Sequence, residues 1–285
     1  MALSSFHRLS RALSQRALFP LRRLTSGLRV LPSALILGCQ RGGTTRLHHA
    51  LHQHPQLYAS YPKELHFFDG GLPGRQRPWR ASLGWYKAHF PLSSSMVPGM
   101  RCLESSPLYL FHPEVPARVA SVIPSARFIV LLRDPVERAI SHFFHERAKG
   151  REALSLSEAL AAEERRLKVA LGAGDYNSRP FLQQSYRLRG EYATQLERWL
   201  QRFSREQFLF LRSEDLVARP EPTVMRILDF LEVAPMSLNL AVEPANAAAR
   251  GEDVPWELRD QLQQHFREHN ERLGRLLGED FSAWS

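Results

Sequence analysis

Residues 34–45, with the sequence ALILGCQRGGTT, decide the fold of this chain. A short apolar run leads into a glycine-rich turn, and an amphipathic segment starts directly after it. This order predicts a strand, a loop and a helix N-terminus, whose backbone N–H groups and dipole hold phosphate. Gly38 and Gly43 have the spacing of G-x-x-x-x-G-K-[ST] nucleotide loops, but Thr44 replaces the lysine and the cation lies inside the loop, as Arg41. The stretch therefore predicts a nucleotide phosphate site unlike that of ordinary ATPases.

A second strand-and-helix segment carries further polar residues. Residues 128–132 form a continuous apolar run of strand length, and Arg133-Asp134-Pro135 stops it. Pro135 at the first helical position predicts a helix through about Arg147, with Ser141 two turns into it. Because ligands of open α/β sheets bind at the carboxyl ends of the strands, we expect Arg133 and Ser141 to face the same crevice as the glycine-rich loop.

Other apolar runs complete an alternating pattern of strands and helices. Strands are predicted near residues 100–103 and 208–211, and helices at 151–172, 192–203, 224–231 and 258–273. The alternation indicates an α/β fold with a central parallel sheet flanked by helices. A chain of 285 residues can bury one such core, so we expect residues 31–285 to form a single domain after a basic leader at 1–30.

The leader carries most of the positive charge. The chain has a net charge of +9, but residues 1–30 hold six arginines and no acid, which leaves +3 for the rest. A body this close to neutral, without a stripe of basic and aromatic residues, argues against a nucleic-acid partner.

The leader and the cysteines also bear on the compartment. An arginine- and serine-rich segment with apolar residues at helical spacing resembles an organellar transit peptide, and the alternative is a disordered basic N-terminus or a surface helix. Two cysteines cannot form a disulfide framework, and no apolar run approaches the roughly 20 residues that cross a bilayer. We therefore expect a soluble protein of the cytoplasm or of an organelle, without a transmembrane segment.

An ordered set of motifs resembles one enzyme family. In chain order these are RGGTT at 41–45, KELHFFD at 63–69, LGWY at 83–86, ESSPLY at 104–109, RDPVERAIS at 133–141, GEY at 190–192, LERWL at 196–200 and RG at 250–251. The set is similar to that of the sulfotransferases that use 3′-phosphoadenosine 5′-phosphosulfate (PAPS), in particular their heparan sulfate and carbohydrate branch. The resemblance runs from about Leu35 to the C-terminus.

The resemblance implies a fold, a cofactor and a set of binding residues. The fold is the P-loop-like nucleotide-binding sulfotransferase fold, and PAPS donates the sulfo group and leaves as 3′,5′-adenosine bisphosphate (PAP). The implied cofactor-binding residues are Arg41, Gly42, Gly43, Thr44 and Thr45 for the 5′-phosphosulfate and Arg133, Ser141, Arg250 and Gly251 for the 3′-phosphate, with Arg46 as a further cofactor-binding residue. No metal is required by this scheme, and the histidines at 48, 49, 52 and 54 lack a carboxylate or cysteine nearby that would complete a metal site.

Glu64 and Arg41 are the expected catalytic residues. Glu64 matches the catalytic glutamate of the branch, and the neighbouring Phe67 and Phe68 lead us to expect a raised pKa and a role as general base. The alternative is a structural ion pair of Glu64 with a nearby arginine, with His66 as the reserve base. Arg41 keeps its proton at neutral pH, so we expect it to stabilise charge on the leaving phosphate rather than to act as an acid.

The acceptor is less well defined. Ser105 stands where the branch has a substrate-binding lysine, and the paired C-terminal cysteines of several heparan members are absent. The sequence therefore predicts sulfo transfer to a hydroxyl, or an amine, of a carbohydrate or other small molecule. A P-loop nucleotide kinase-like transferase and a non-catalytic nucleotide-binding scaffold are the alternatives.

Overall fold

The computed structural model describes residues 18–71, 82–240 and 254–284. Its strands are β1 (Ala34–Gly38), β2 (Leu57–Ala59), β3 (Arg101–Ser105), β4 (Arg127–Leu132) and β5 (Phe208–Arg212). They form one parallel sheet of five strands in the order β2-β3-β1-β4-β5. The chain leaves β1 toward β2 on one side and later crosses to β4 on the other, which opens a crevice at the carboxyl ends of these strands. The predicted α/β fold with a central parallel sheet is confirmed.

The two central strands are those that the apolar runs predicted. Every residue of β1 is buried, as is β4 from Phe128 onward. Both faces of a parallel sheet are covered, so such strands are continuously apolar rather than alternating. Gly38 at the end of β1 is paired with Leu131 of β4, and Ile36 with Ser105 of β3. The carboxyl ends of β3, β1 and β4 therefore lie side by side.

Helices cover both faces of the sheet. They are α1 (Thr44–Leu51), α2 (Leu83–Lys87), α3 (Leu108–Phe111), α4 (Val115–Val122), α5 (Pro135–Ala148), α6 (Leu156–Gly172), α7 (Arg179–Gln183), α8 (Tyr192–Leu200), α9 (Ser213–Ala218), α10 (Pro220–Phe230) and α11 (Trp256–Leu277). On one face, α1, α9 and α10 pack against Ile36 and Ile129. On the other face, α3, α4, α8 and the end of α11 pack against Leu37 and Phe128.

The helix predicted at 151–172 starts later than expected. Ser155 forms a capping box with Glu158, so the helix begins at Leu156. It is also less exposed than its charged and alanine-rich sequence suggests, because Leu160, Leu167 and other residues on one face are buried. The buried residues are spaced along one helix face and do not form a long continuous apolar run. The sequence pattern therefore did not indicate that this face is buried.

Part of the predicted leader belongs to the folded body. The Arg22 guanidinium donates to the carbonyl oxygens of Ala88 and Phe90, and Arg29, only 8% exposed, also donates to Phe90. The folded part therefore begins before residue 31, where the sequence placed the domain boundary. Residues 1–17, with most of the predicted leader, lie outside the described residues. Among the described helices, none has the length and apolar content needed to cross a membrane.

Candidate active site

The loop between β1 and α1 is held tightly against its neighbours. The Cys39 N–H donates to the Leu131 oxygen at 2.9 Å, and the Ser213 hydroxyl donates to the Gly42 oxygen. Gly42 lies so close to Cys39 that a Cβ would sit 2.6 Å from its sulfur. Gly43 has φ +90° and caps α1 without a side-chain hydrogen bond, so the first N–H groups of the helix remain available for an anion.

Arg41 brings the two predicted phosphate-binding segments together. Its backbone has φ +73°, an uncommon value for a residue other than glycine, and its side chain reaches α5. There Nε donates to the Ser141 Oγ at 3.0 Å, and a terminal nitrogen lies 3.4 Å from Nδ1 of His145. The Arg133 guanidinium donates to the Arg41 carbonyl oxygen at 3.1 Å. The structure therefore places Arg41, Arg133 and Ser141 in one group at the ends of β1 and β4.

Arg133 is positioned by its neighbours but not fully neutralised. Asp134 caps α5 through the N–H groups of Val136 and Glu137, which removes it as the ion-pair partner of Arg133. Glu137 lies 3.9 Å from the Arg133 guanidinium, whose side chain is 25% exposed. The Tyr192 hydroxyl holds the Arg133 backbone by donating to its carbonyl oxygen at 2.8 Å. A rigid backbone with a partly exposed cation is a good arrangement for binding an anion.

Positive charge accumulates at this group. Burial lowers the pKa of Arg41, and the neighbouring Arg133 charge lowers it further. The pKa of His145 falls to about 4 through burial and the charges of Lys149 and Arg41, so its ring is neutral at pH 7. The Arg133 charge thus opposes that of Arg41, and an anion bound between the two guanidinium groups would offset this repulsion.

Glu64 lies at the carboxyl end of β3, on the other side of β1. Its N–H donates to the Ser105 oxygen at 3.0 Å, and its backbone has φ +63°. The carboxylate pairs with Lys63 and lies 3.7 Å from Nε2 of His66. Asp69, completely buried, accepts from the opposite ring nitrogen of His66 at 2.6 Å. Glu64 therefore pairs with these two cations, not with an arginine as the structural alternative supposed.

The expectation of a raised Glu64 pKa is wrong. Burial does raise the pKa of this carboxyl, but hydrogen bonding to His66 and the Lys63 ammonium outweigh that effect and lower it to about 2. Burial likewise lowers the pKa of His66, but the carboxylates of Asp69 and Glu64 raise it to about 10. His66 is therefore an imidazolium at neutral pH and has no free site for a proton, which removes it as the reserve base.

A buried carboxyl lies beneath Glu64. Glu104 accepts hydrogen bonds from Tyr86 and Ser106, and burial raises its pKa to about 7. Ser105, which stands where the branch has lysine, is completely buried, and its hydroxyl has no hydrogen-bond partner in the described structure. Ser105 thus supplies no cation to Glu64, whose partners are Lys63 and His66.

Glu64 lies within electrostatic reach of the arginine group. The Glu64 charge acts on the titration of His145, which itself lies beside Arg41. The pKa of His48 on α1 falls to about 3 through burial and the charge of Lys63, with Glu64 opposing. The electrostatic reach of Glu64 thus extends to both walls of the crevice that the adjacent ends of β3, β1 and β4 form.

Arg46, another predicted binding residue, lies apart from this group. The Arg46 Nε donates to the Leu240 oxygen at 2.9 Å, one helical turn from the loop. Arg46 there borders a cavity of about 330 Å³, whose other lining residues are Pro220, Glu221, Val224, Ser237, Leu238, Asn239 and Leu240. Arg250 and Gly251 lie outside the described residues.

Sequence patterns did not identify Arg189, whose side chain holds Gln40 of the loop. Arg189 is 5% exposed and donates to the Gln40 side-chain oxygen, the Ser185 hydroxyl and the Leu182 carbonyl oxygen. Burial, together with the charge of Arg138, lowers the pKa of Arg189 to about 9. No spacing rule pairs residues 149 positions apart, and the only signal in the sequence is that Arg189 directly precedes the GEY motif.

The structure is thus an α/β fold that brings a glycine-rich loop and two arginines together at the carboxyl edge of a parallel sheet. Residues 31–246 match the model of the sulfotransferase domain family. Because the match covers more than half of the chain, the chain belongs to the sulfotransferase domain family. The predicted resemblance is confirmed, and the family favours sulfo transfer over the kinase-like alternative.

Several named relatives of this chain are heparan sulfate sulfotransferases. Human heparan sulfate glucosamine 3-O-sulfotransferase 6 is 30% identical over 277 residues, which cover 90% of this chain and 74% of the relative. Human heparan sulfate glucosamine 3-O-sulfotransferase 3B1 is 34% identical over 206 residues, which cover 72% of this chain and 47% of the relative. Mouse bifunctional heparan sulfate N-deacetylase/N-sulfotransferase 4 is 28% identical, and the chain spans 31% of its length. The chain thus spans less than half the length of two of these three relatives.

Solved structures agree with the fold. The sulfotransferase from Alicyclobacillus acidocaldarius has a TM-score of 0.70 at 29% identity, and the match covers 90% of this chain and 99% of that one. Mouse sulfotransferase SULT7A1, solved in complex with PAP, has a TM-score of 0.54 at 12% identity, which supports the fold alone. The predicted sulfotransferase fold is confirmed.

Proposed function

We propose that this protein transfers a sulfo group from PAPS to a hydroxyl, or an amine, of a carbohydrate or other small acceptor and releases PAP. The observation that carries the proposal is the contact of Arg41 with Ser141, beside Arg133. A nucleotide with phosphates on both the 3′ and 5′ oxygens of one ribose needs two anion sites side by side. The adjacent arginines supply such a pair, whereas ATP has no 3′-phosphate.

The loop and α5 would divide the two phosphates between them. The N–H groups of Gly42, Gly43, Thr44 and Thr45 and the Arg41 guanidinium would hold the 5′-phosphosulfate. Arg133 and Ser141 would hold the 3′-phosphate, with Arg250 and Gly251 as further predicted contacts. Arg46 stays a predicted cofactor contact, although its side chain donates to the Leu240 oxygen.

Glu64 would accept the proton of the acceptor hydroxyl. At a pKa of about 2 its carboxylate is fully ionised but weakly basic while Lys63 and His66 contact it. An acceptor that displaces the Lys63 ammonium would raise the pKa and make the carboxylate a better base. His66, fixed by Asp69 at 2.6 Å, acts as a positioning residue that aims the carboxylate.

The reaction needs charge stabilisation at the donor and proton removal at the acceptor. The acceptor oxygen bonds to sulfur as the bond from sulfur to the bridging phosphate oxygen breaks, and the acceptor proton passes to Glu64. Negative charge then develops on the leaving 5′-phosphate, where Arg41 and the loop N–H groups are placed to stabilise it. The steps described use side chains and backbone alone, without a metal.

The acceptor class rests on the relatives. Their names specify heparan sulfate glucosamine, a sugar with hydroxyl and amino groups, which supports a glycan acceptor for this chain. Ser105 is buried and carries no charge, so the Lys63 ammonium is the nearby cation for an acidic group on such an acceptor. We propose an acceptor range that differs from that of relatives with a lysine at this position. Delivery to an organelle by the basic leader remains a proposal on composition alone.

Calorimetric titration of the full chain with PAP, ATP and AMP tests the cofactor. We expect PAP to bind most tightly, and Arg133→Ala to weaken PAP binding by about 10- to 100-fold because a charge-assisted phosphate contact is lost. Arg127→Ala is the matched control: Arg127 lies at the opposite end of β4 and contacts Phe230 and Glu232. Equal affinity for PAP and AMP, or an equal loss in both variants, would leave the kinase-like or scaffold alternative standing.

A further inference from the structure

A compact set of metal-ligating side chains lies away from the proposed active site. His265 and His269 are one turn apart on α11, and Glu191 precedes α8. The Glu191 Oε1 lies 3.4 Å from Nε2 of His265 and 3.9 Å from Nε2 of His269, and the three ligand atoms lie within 4.8 Å of one another. Within residues 18–71, 82–240 and 254–284, no other three ligands of this kind come together.

The separation of 3.4 Å between Glu191 and His265 already suits a tetrahedral ion, and the 3.9 Å separation of Glu191 and His269 would have to shorten by a small rotation of the His269 ring. Zinc bonds of about 2.0–2.2 Å to nitrogen and oxygen place neighbouring ligand atoms about 3.3–3.6 Å apart in a tetrahedron. The side chains of Glu191, His265 and His269 are 20%, 28% and 28% exposed, so a water molecule can reach a fourth position. Two imidazoles, one carboxylate and a water form a ligand set that proteins use for zinc.

A buried ring nitrogen without a hydrogen bond supports a cation site here. The His265 Nε2 is shielded from solvent and has no hydrogen-bond partner of suitable geometry, although the Glu191 carboxylate is nearby. A buried polar atom of this kind normally has a partner. A cation between the nitrogen and the carboxylate would satisfy both groups at once.

We propose that Glu191, His265 and His269 bind Zn²⁺, with water as the fourth ligand, and that the ion ties α11 to the start of α8. The same junction is already closely packed, because a Cβ on Gly190 would meet the Phe266 ring at 2.6 Å. Tyr192, next to Glu191, supports the Arg133 backbone. The ion would therefore stabilise the base of the arginine group, and the proposal does not depend on the reaction that the cleft performs.

Metal binding to the full chain tests the site without an activity assay. The chain is first treated with a chelator and dialysed, and Zn²⁺ is then titrated by calorimetry while thermal unfolding is followed in parallel. We expect saturable binding of one ion per chain and a rise in the unfolding temperature of about 5 °C at zinc one hundredfold above Kd. Co²⁺ should give the visible absorption of a tetrahedral complex.

Variants assign the binding to this site. Glu191→Gln, His265→Asn and His269→Asn should each weaken Zn²⁺ binding by more than about tenfold. His48→Asn combined with His52→Asn is the control, because these histidines are also one turn apart but have no third ligand in the described structure. The proposal fails if the unsubstituted chain binds no zinc, which is the result expected if the three side chains form only an imidazolium–carboxylate ion pair. It also fails if zinc binding survives in all three variants, or if the control variant abolishes it.

Discussion

Replacement of Gly38 by alanine would introduce a defined clash at the start of the phosphate-binding loop. A Cβ at this position would lie 2.4 Å from Cγ2 of Thr44, whereas the next nearest atom, the Leu131 oxygen, would lie 3.4 Å away. Two carbon atoms pack best at about 3.5–4.0 Å, and Thr44 is only 4% exposed, so it has little room to move. A single methyl group therefore accounts for the need for glycine.

The energetic cost of the clash can be isolated by removing the Thr44 methyl group that the new Cβ would meet. Overpacking costs about 1–3 kcal/mol, so we expect Gly38→Ala to lower the free energy of unfolding by about 2 kcal/mol. Thr44→Ser removes one buried carbon at a cost of about 0.8 kcal/mol and also removes the clash. The double variant should then lose about 1 kcal/mol instead of the roughly 3 kcal/mol of independent changes, a coupling of about 2 kcal/mol.

Urea unfolding of the four proteins, followed by circular dichroism, measures this coupling. Gly42→Ala provides the control: its Cβ would meet the Cys39 sulfur at 2.6 Å, so Thr44→Ser should not relieve it. Additive losses for Gly38→Ala and Thr44→Ser would refute the steric account of the first glycine.

Three other expectations concern the cleft. Glu64→Gln should lower kcat by about 10²–10⁴-fold, as loss of a general base does. Calorimetry should show a PAP affinity within twofold of that of the original chain, a difference of about 0.4 kcal/mol. An unchanged kcat would assign Glu64 a structural role. The pKa of His66 is raised from 6.5 to about 10, so its contribution to stability is complete below pH 6.5 and is lost as the pH rises through 10. Unfolding free energies of the original chain and of His66→Asn should converge over that interval, and a constant difference would contradict the ion pair. Arg189→Met should cost about 2 kcal/mol in urea unfolding, because the buried oxygens of Gln40 and Leu182 lose their donor. Arg187→Met, on a more exposed arginine, should cost less.

The core of the fold could be predicted from local sequence. Continuous apolar runs at 34–37 and 128–132 can be buried only in the middle of a covered sheet, and the glycines of the loop satisfy contacts within a few residues of themselves. Arg133 and Ser141 follow from the same logic, because a strand that ends in Asp134-Pro135 starts a helix in a known register.

The rest depends on contacts between distant residues. The phenylalanines beside Glu64 suggested a raised pKa, but the orientation of the His66 ring, which Asp69 fixes, decides the balance in the opposite direction. Arg189 reaches Gln40 from 149 positions away, and Glu191 meets His265 of α11, which is likewise distant along the chain. Periodicity within a segment carries no information on which residue of another segment will face it.

The guanidinium of Arg41 has three nitrogen atoms, and only two of them contact α5. A lysine at this position would present one nitrogen and would have to choose between α5 and the cofactor. Arg41 can instead keep its hydrogen bond to Ser141 while another of its N–H groups points toward the sulfo-donor end of the cleft. A change in the contacts at one end of the bound cofactor would then alter the contacts at the other end. A product analogue that lacks the 3′-phosphate should therefore have its 5′-phosphate held differently by the loop.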